Sequence, residues 1–124
     1  MANNVAVDGC ELEVVAPGTG DIEVEAGQVS DTELADGKGI HFKEIKFKVS
    51  NSNGGGPVTN GDGKGEGSII ASGSNILNAA GDKAVLEGDQ SATVEIKGHA
   101  GQSSAVGAVI VQVKSAGQDV VIAL

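Results

Sequence analysis

The sequence predicts a small all-β domain, either an antiparallel sandwich or an irregular β wedge, with a long glycine-rich loop. Apolar residues recur at every second position in most segments, which is the period of a β-strand. Glycine, proline and asparagine residues separate these segments at short intervals. No helical period extends beyond one or two turns. A chain of 124 residues with 20 glycines is therefore expected to form a single β domain, residues 1–124.

The first predicted element is an acidic β-hairpin. Leu12 and Val14 alternate with glutamates, and Ile22 and Val24 alternate with acidic residues in the same way. The segment between them, residues 16–20, reads Ala-Pro-Gly-Thr-Gly, whose proline and glycines favour a turn. We therefore expect the two strands to pair with each other and to direct their acidic side chains toward solvent.

The next predicted strand carries both phenylalanines and is expected to lie at the centre of the core. Apolar residues alternate from Ile40 to Phe42. They alternate again from Ile45 through Phe47 to Val49, but with the opposite parity. Two polar residues in succession mark the change. They predict a β-bulge, because one extra residue lets a strand keep its apolar face inward on both sides of a bend.

The middle of the chain is predicted to be a loop followed by short elements. Residues 51–67 hold most of the turn-forming residues, so we expect a mobile loop without regular structure there. Short strands are predicted at residues 68–71 and 83–86, with one helical turn at residues 75–81 between them.

The last third predicts strands at residues 92–97, 106–114 and 120–124, which brings the total to about seven or eight. One continuous core is expected from the apolar positions of all these strands. Its predicted members are Ile22, Val24, Phe42, Ile45, Phe47, Val94, Ile96, Val111, Val113 and Ile122.

The charge of the chain excludes nucleic acid as an expected partner. The formal net charge is −9, from 17 acidic residues and eight lysines, with no arginine. Phosphate binding needs a basic stripe, and base stacking needs aromatic or arginine side chains, neither of which this sequence provides. Residues 1–36 hold nine of the acids and no lysine, which predicts an acidic N-terminal face.

The sequence shows no targeting or membrane-spanning segment. The N-terminus lacks the basic and apolar regions of a signal peptide, and the longest apolar stretch, residues 106–111, is too short to cross a bilayer. We therefore expect cytoplasmic synthesis without a signal peptide, while assembly into an exported machine that reads no cleavable signal stays open. Cys10 is the only cysteine, so an intramolecular disulfide is excluded.

The glycine-rich loop fits neither a phosphate-binding nor a calcium-binding motif. Lys64 is followed by glycine, where a P-loop needs serine or threonine. Asn60, Asp62 and Glu66 offer oxygen atoms, but Lys64 stands where a further calcium ligand would be needed. A flexible loop is the favoured interpretation.

No pattern of catalytic residues stands out, and we expect the protein not to be an enzyme. The carboxylate pairs Glu11/Glu13 and Glu23/Glu25 share the same exposed hairpin, so nothing separates an acid role from a base role. The chain lacks a Gly-x-Ser-x-Gly motif, and no catalytic signature surrounds Cys10.

Cys10, His41 and His99 are the chain's only cysteine and histidines, and they are the candidate metal ligands. Three such side chains can share a zinc ion, with a carboxylate or water in the fourth position. No two of them have the close spacing of zinc-finger ligands. The alternative, which the residues alone favour, is that Cys10 is a small buried apolar residue and both histidines lie on the surface.

Two short segments resemble the central part of PAAR and PAAR-like proteins, the pointed tips of contractile injection machines. The first is residues 81–89, Gly-Asp-Lys-Ala-Val-Leu-Glu-Gly-Asp, and the second is residues 98–101, Gly-His-Ala-Gly. His99 falls where the family's metal-binding turn has its histidine, and residues 117–121 resemble the closing strand. The Pro-Ala-Ala-Arg tetrapeptide is absent, and residues 1–36 have no counterpart. The positions that match the signature are Gly81, Ala84, Gly88 and Asp89.

The resemblance implies a non-enzymatic β-rich wedge that sits on a trimeric spike protein of a phage-tail-like or type VI secretion machine. It also implies a metal, expected to be zinc, held by histidine and cysteine side chains. The residues leave another class of function open, a stand-alone β-sandwich module that binds a protein or a glycan. The absence of tryptophan and tyrosine weakens the glycan version, because sugar binding normally uses aromatic platforms.

Overall fold

The computed structural model describes residues 3–16, 18–25, 29–35, 37–71, 82–118 and 122–123. Within these ranges every regular element is a strand, which confirms the predicted all-β class. The same ranges contain no helix that is long and apolar enough to cross a membrane. The helical turn predicted at residues 75–81 falls outside the described residues. The strands are β1 (Asn3–Asn4), β2 (Glu11–Val14), β3 (Asp21–Val24), β4 (Val29–Ala35), β5 (Lys38–His41), β6 (Glu44–Ser52), β7 (Gly63–Ile70), β8 (Val94–Ala100), β9 (Ser103–Val109), β10 (Val111–Ser115) and β11 (Ile122–Ala123).

Five antiparallel strands form the main sheet, in the order β3-β6-β7-β8-β9. β6 is its longest strand, and apolar and charged residues alternate along it from Glu44 to Val49. Ile45, Phe47 and Val49 are buried on one face, while Lys46 and Lys48 are exposed on the other. The buried face is covered by the two-stranded sheet of β2 and β10, whose apolar side chains pack into the same core.

The predicted hairpin of residues 12–14 with 22–24 is wrong. β2 pairs instead with β10, and Val14 lies opposite Val111. β3 pairs with β6 at the edge of the main sheet. A period of two identifies both segments as strands, but it does not select their partners. Paired with β10, β2 packs Leu12 and Val14 against the first apolar cluster.

The parity change in the phenylalanine segment lies at Lys43, whose backbone has a left-handed φ of 71°. The predicted irregularity is therefore present, but it separates two strands instead of bending one. β5 precedes it and pairs with β4, whereas β6 follows it and enters the main sheet. Phe47 is fully buried, and Phe42 is only partly buried against a different apolar cluster.

The single continuous core predicted from the sequence is instead two clusters. Segments 5–7 and 84–86 run side by side between them, joined by a hydrogen bond from the Ala6 amide to the Val85 carbonyl of 2.8 Å. Their successive side chains point to opposite sides, so Ala6 and Val85 enter the first cluster while their neighbours enter the second. The first cluster contains Ala6, Ile45, Phe47, Val49, Val58, Ile69, Val85, Val94, Ile96, Val109, Val111 and Val113. The second contains Val5, Val7, Ala35, Ile40, Ala84 and Leu86.

Most of the predicted core residues lie in these clusters. Ile45, Phe47, Val94, Ile96, Val111 and Val113 are buried in the first cluster. Ile22 and Val24 pack against the same cluster while only partly buried, because β3 is an edge strand. The side chain of Ile122 lies outside the described part of the chain.

The absence of regular structure predicted for residues 51–67 is wrong at both ends. Residues 51–52 belong to β6 and residues 63–67 belong to β7, so the loop is confined to residues 53–62. The glycines of β7 are used for close packing, because a Cβ atom on Gly65 would collide with the backbone carbonyl of Glu95. Val58 is fully buried and fixes the middle of the loop to the first cluster.

The predicted strand at residues 106–114 is also two strands. Ile110 separates β9, in the main sheet, from β10, in the second sheet. Its carbonyl accepts a hydrogen bond from the Val15 amide at 2.8 Å, so the chain changes sheets without a conventional turn.

Candidate functional site

The structure does not bring Cys10, His41 and His99 together. All three residues are described, and among the described residues no group of three or more Cys, His, Asp or Glu side chains could hold a metal ion. His41 ends β5, His99 lies near the end of β8, and Cys10 precedes β2. Their chemistry suits zinc but their positions do not, so a zinc ion shared by these three side chains does not fit this fold.

Cys10 is a structural residue. Its amide donates to the Val7 carbonyl at 2.9 Å, which closes a turn whose third residue, Gly9, has a φ of 90°. The side chain packs against the first cluster. Burial, together with the negative charge of Asp8, raises the pKa of the thiol to about 11. A thiol whose pKa is raised in this way is a poor nucleophile at neutral pH.

His41 is buried, contrary to the prediction that both histidines lie on the surface. The residue is only 2% exposed, and its backbone amide and carbonyl bond to Ala6 and Val85 on either side. Burial lowers the pKa of the imidazole, although Asp8 opposes this effect. Nδ1 has no hydrogen-bond partner among the described residues. His41 is therefore a neutral ring packed between chain segments.

His99 is the exposed histidine, and Asp62 holds it. The His99 ring nitrogen Nδ1 lies 2.7 Å from Asp62 Oδ2, and the His99 amide donates to Asp62 Oδ1 at 2.9 Å. These hydrogen bonds lower the pKa of the Asp62 carboxyl. Asn60 makes a similar pair of bonds to Gly101, donating to its carbonyl at 2.8 Å and accepting from its amide at 3.0 Å. Two of the three residues considered as calcium ligands, Asn60 and Asp62, thus hold the loop against the β8–β9 turn.

The residues that carry the PAAR-like resemblance occupy positions with strict structural requirements. Leu86 to Asp89 form a turn in which the Asp89 amide donates to the Leu86 carbonyl at 3.0 Å. Gly88 has a φ of 92°, which favours glycine, and Asp89 Oδ2 accepts from the Leu86 amide at 2.9 Å. Ala84 is fully buried. Ala84, Gly88 and Asp89 therefore have structural roles in the fold, while Gly81 lies outside the described residues.

Sequence reasoning missed an apolar groove at the end of β9. The groove has a volume of about 460 Å³, and neither a charged nor an aromatic side chain lines it. Its apolar lining comes from Val15, Ala16, Pro57, Ala108, Val109 and Ile110. A second depression shares Pro57 and Ala108 and extends along β9 to Val106, with Glu95 as its only charged residue. Val106 is 57% exposed and Ile110 is 37% exposed, both unusual for large apolar side chains.

The backbone edge of β9 runs along this groove. The Ala108 amide points away from β8 and donates to the Gly54 carbonyl at 3.1 Å. Because N–H and C=O directions alternate along an antiparallel strand, those of Ser104 and Val106 point the same way. No described backbone group pairs with them. The only hint in the sequence was the uncharged composition of residues 103–109.

No protein-family model, curated protein or solved structure matches the chain.

Proposed function

We propose that the protein is a non-enzymatic structural component of the PAAR-like type, the tip of a phage-tail-like or type VI secretion spike. Its partner is the trimeric spike protein on which such a tip sits. The observation that supports this proposal is the turn formed by Leu86 to Asp89, in which Gly88 and Asp89 have the conformation and the hydrogen bonds that make them hard to replace.

This turn lies where several segments of the chain meet. The Gly88 amide donates to the Val113 carbonyl at 2.9 Å, and the Val113 amide donates to the Asp89 carbonyl at 3.0 Å. The Glu87 amide donates to the Asn4 carbonyl at 2.8 Å. A motif that joins the N-terminal, central and C-terminal segments in this way is suited to holding a compact, rigid part together. Rigidity is what a spike tip requires.

The proposed tip works without the metal that the resemblance implies. Cys10 packs against the first cluster, and His41 is buried with its backbone bonded on both sides. His99 is exposed, but no group of three or more Cys, His, Asp or Glu side chains that could hold a metal ion is present among the described residues. Backbone pairing and the two apolar clusters hold the shape instead.

The decisive experiment is the formation of a complex with a trimeric spike protein. The chain is purified and mixed with the spike protein encoded in its genomic neighbourhood, and the mass of the complex is measured by light scattering after gel filtration. One chain per trimer is expected, with no stoichiometric zinc by elemental analysis. If tail-tube, sheath and spike genes are missing from the neighbourhood, or if no complex forms, the spike proposal fails.

The second candidate is a stand-alone module that binds a protein, and the apolar groove favours it. The groove lining contains no aromatic platform for a sugar ring and no charged group for a sugar hydroxyl. Exposed Val106 and Ile110 suit the side chains of another protein. Glycan-array binding would contradict this version. Spike-independent binding to a purified protein, lost on substitution of Ile110 by lysine, would support it.

A further inference from the structure

The loop of residues 53–62 contains both of the chain's asparagine–glycine pairs. Asn53 is followed by Gly54, and Asn60 is followed by Gly61. In such a pair the backbone nitrogen of the glycine can attack the side-chain carbonyl carbon of the asparagine, because glycine carries no side chain that obstructs the approach. The two pairs have the same local sequence, so any difference between them comes from the fold.

The first pair is locked by hydrogen bonds. Gly54 is buried, and its amide donates to Ser52 Oγ at 3.0 Å. The Asn53 carbonyl accepts from the Val58 amide at 3.1 Å. The Gly54 carbonyl accepts from the Ala108 amide at 3.1 Å. The Gly54 nitrogen therefore cannot turn toward the Asn53 side chain unless these bonds break.

The second pair is open to the same reaction. Asn60 is exposed, Gly61 is partly exposed, and no described group accepts a hydrogen bond from the Gly61 amide. A Cβ atom placed on Gly61 would meet only Asn53 Oδ1, at 3.7 Å, so the space around this residue is open. Rotation about the Cα–C bond of Asn60 therefore brings the Gly61 nitrogen toward the Asn60 side chain without a clash.

Gly101 contributes a hydrogen-bond donor to this second pair. Its amide donates to Asn60 Oδ1 at 3.0 Å, and its carbonyl accepts from Asn60 Nδ2 at 2.8 Å. Attack on the side-chain carbon moves negative charge onto Oδ1, where the Gly101 amide already lies. The exposure of Asn60 lets water protonate the nitrogen that leaves.

We propose that Asn60 and Gly61 form a site of spontaneous deamidation, and that the reaction releases the β8–β9 turn from the loop. The Gly61 nitrogen forms a bond to Asn60 Cγ and loses its proton, while the bond between Cγ and Nδ2 breaks and ammonia leaves. Water then opens the succinimide ring at one of its two carbonyl groups. Aspartate or isoaspartate remains at position 60, and water is the only co-reactant.

The product cannot keep both bonds to Gly101. A carboxylate has no donor, so the oxygen that replaces Nδ2 faces the Gly101 carbonyl and repels it. Isoaspartate also lengthens the backbone by one methylene group, which displaces the side chain. The reaction is irreversible, so the release is a one-way change. It requires neither a spike protein nor any other partner, and its test is independent of the proposed function.

The test follows deamidation at each asparagine over time. The purified protein is incubated at pH 8, digested and analysed by mass spectrometry, with fragmentation spectra that assign the modified position. In the folded protein we expect Asn60 to react about tenfold or more faster than Asn53, because the Asn53 site must first open locally. In 8 M urea the two rates should be alike, because only the local sequence acts there.

NMR measures the structural consequence in the same samples. Amide exchange at Gly101 should be faster in the deamidated protein than in fresh protein, because the new carboxylate disturbs its bonds to residue 60. Gly107 pairs with Ile96 of β8 and lies away from the turn, so its exchange should not change.

Three variants make the test specific. Asn60→Gln should abolish the reaction at position 60, because the longer side chain would have to close a six-membered ring. Asn53→Gln is the matched control and should deamidate at Asn60 like the wild type. Asn60→Asp should reproduce the faster exchange at Gly101 without incubation. The comparison of Asn53 with Asn60 in the wild type decides the proposal even if a variant does not fold.

Three outcomes would overturn the proposal. Equal rates at Asn53 and Asn60 in the folded protein would show that the fold does not distinguish the two pairs. An intact Asn60 after an incubation that suffices in urea would show that its bonds to Gly101 protect it. Unchanged exchange at Gly101 in the deamidated protein would show that the β8–β9 turn is not released.

Discussion

Asp62 holds His99 at two points, through its ring nitrogen at 2.7 Å and through its backbone amide at 2.9 Å. The arrangement needs glycine at position 98, where a Cβ atom would lie 2.7 Å from Asp62 Oδ1. The Thr59 and Asn60 amides both donate to the His99 carbonyl at 3.1 Å, which tightens the same connection. The polar residues of the loop, residues 53–62, therefore form hydrogen bonds to the main sheet of the same chain. These bonds hold the β8–β9 turn in place.

Asp62→Ala should therefore loosen this turn locally. The His99 amide loses its acceptor, so its hydrogen exchange should become faster while global stability changes little, because Asp62 is exposed. Asn60→Ala is the matched control, since it should speed exchange at Gly101 instead of His99. Residue-resolved exchange by NMR distinguishes the two variants. Unchanged exchange at His99 in Asp62→Ala would show that Asp62 does not hold the β8–β9 turn.

The two phenylalanines should differ in their contribution to stability. Phe47 is fully buried in the first cluster, so Phe47→Ala should lower the free energy of unfolding by about 3–5 kcal/mol. Phe42 is only partly buried against the smaller second cluster, and Phe42→Ala should cost clearly less. Urea denaturation of both variants measures the difference. Equal losses would mean that the sequence prediction of a shared core was right after all.

His41 should make the protein less stable in mild acid. Burial lowers the pKa of His41 in the folded protein below its ordinary value of 6.5, so the unfolded chain binds the proton more readily. Stability is therefore unaffected by His41 well above pH 6.5 and falls as the pH drops through and below that value. The urea midpoint measured between pH 7.5 and pH 5.5 should show this fall. It should be smaller in His41→Gln.

Cys10 should react slowly with thiol reagents in the folded protein. Because the pKa of its thiol is raised to about 11, the reactive thiolate is scarce at pH 8. Labelling by iodoacetamide, followed by mass spectrometry, should be much slower than in 8 M urea, where the pKa returns to its ordinary range. Gly117→Ala offers an internal check, since a Cβ atom there would press on the Cys10 backbone and should speed labelling. Rapid labelling of the native wild type would contradict the burial of Cys10.

The existence of strands could be predicted from the sequence, but their partners could not. The alternation in β2 and β3 fits a hairpin and fits separate sheets equally well, and only the packing of Val14 against Val111 decides. The sequence of segments 5–7 and 84–86 did contain a signal for the division of the core into two clusters. Three consecutive apolar residues are typical of a strand that is buried on both faces, which is how these segments divide the core in two.

The apolar groove at the end of β9 was harder to predict for a related reason. Residues 106–111 form an uninterrupted apolar run, which the sequence presents as the interior of one strand. The change of sheet at Ile110 involves no glycine or proline, so no local signal marks it. Whether Val106 lies inward or outward depends on the pairing of β8 with β9, which is a long-range property. The three candidate metal ligands present the same difficulty, because residue types carry no information about the distances between segments.

Gly88 and Gly65 have different roles in this chain: Gly88 permits a left-handed backbone, and Gly65 permits close packing. Gly88 has a φ of 92° but open space around its Cα, so Gly88→Ala introduces backbone strain alone and should cost about 1–2 kcal/mol. Gly65 lies on β7, where a Cβ atom would collide with the Glu95 carbonyl and lie 2.9 Å from Ile96 Cδ1. Since a backbone carbonyl cannot move aside without breaking the contact of β7 with β8, Gly65→Ala should cost more than Gly88→Ala. Urea denaturation gives the order, and the reverse order would show that β7 and β8 are less closely packed than the structure requires.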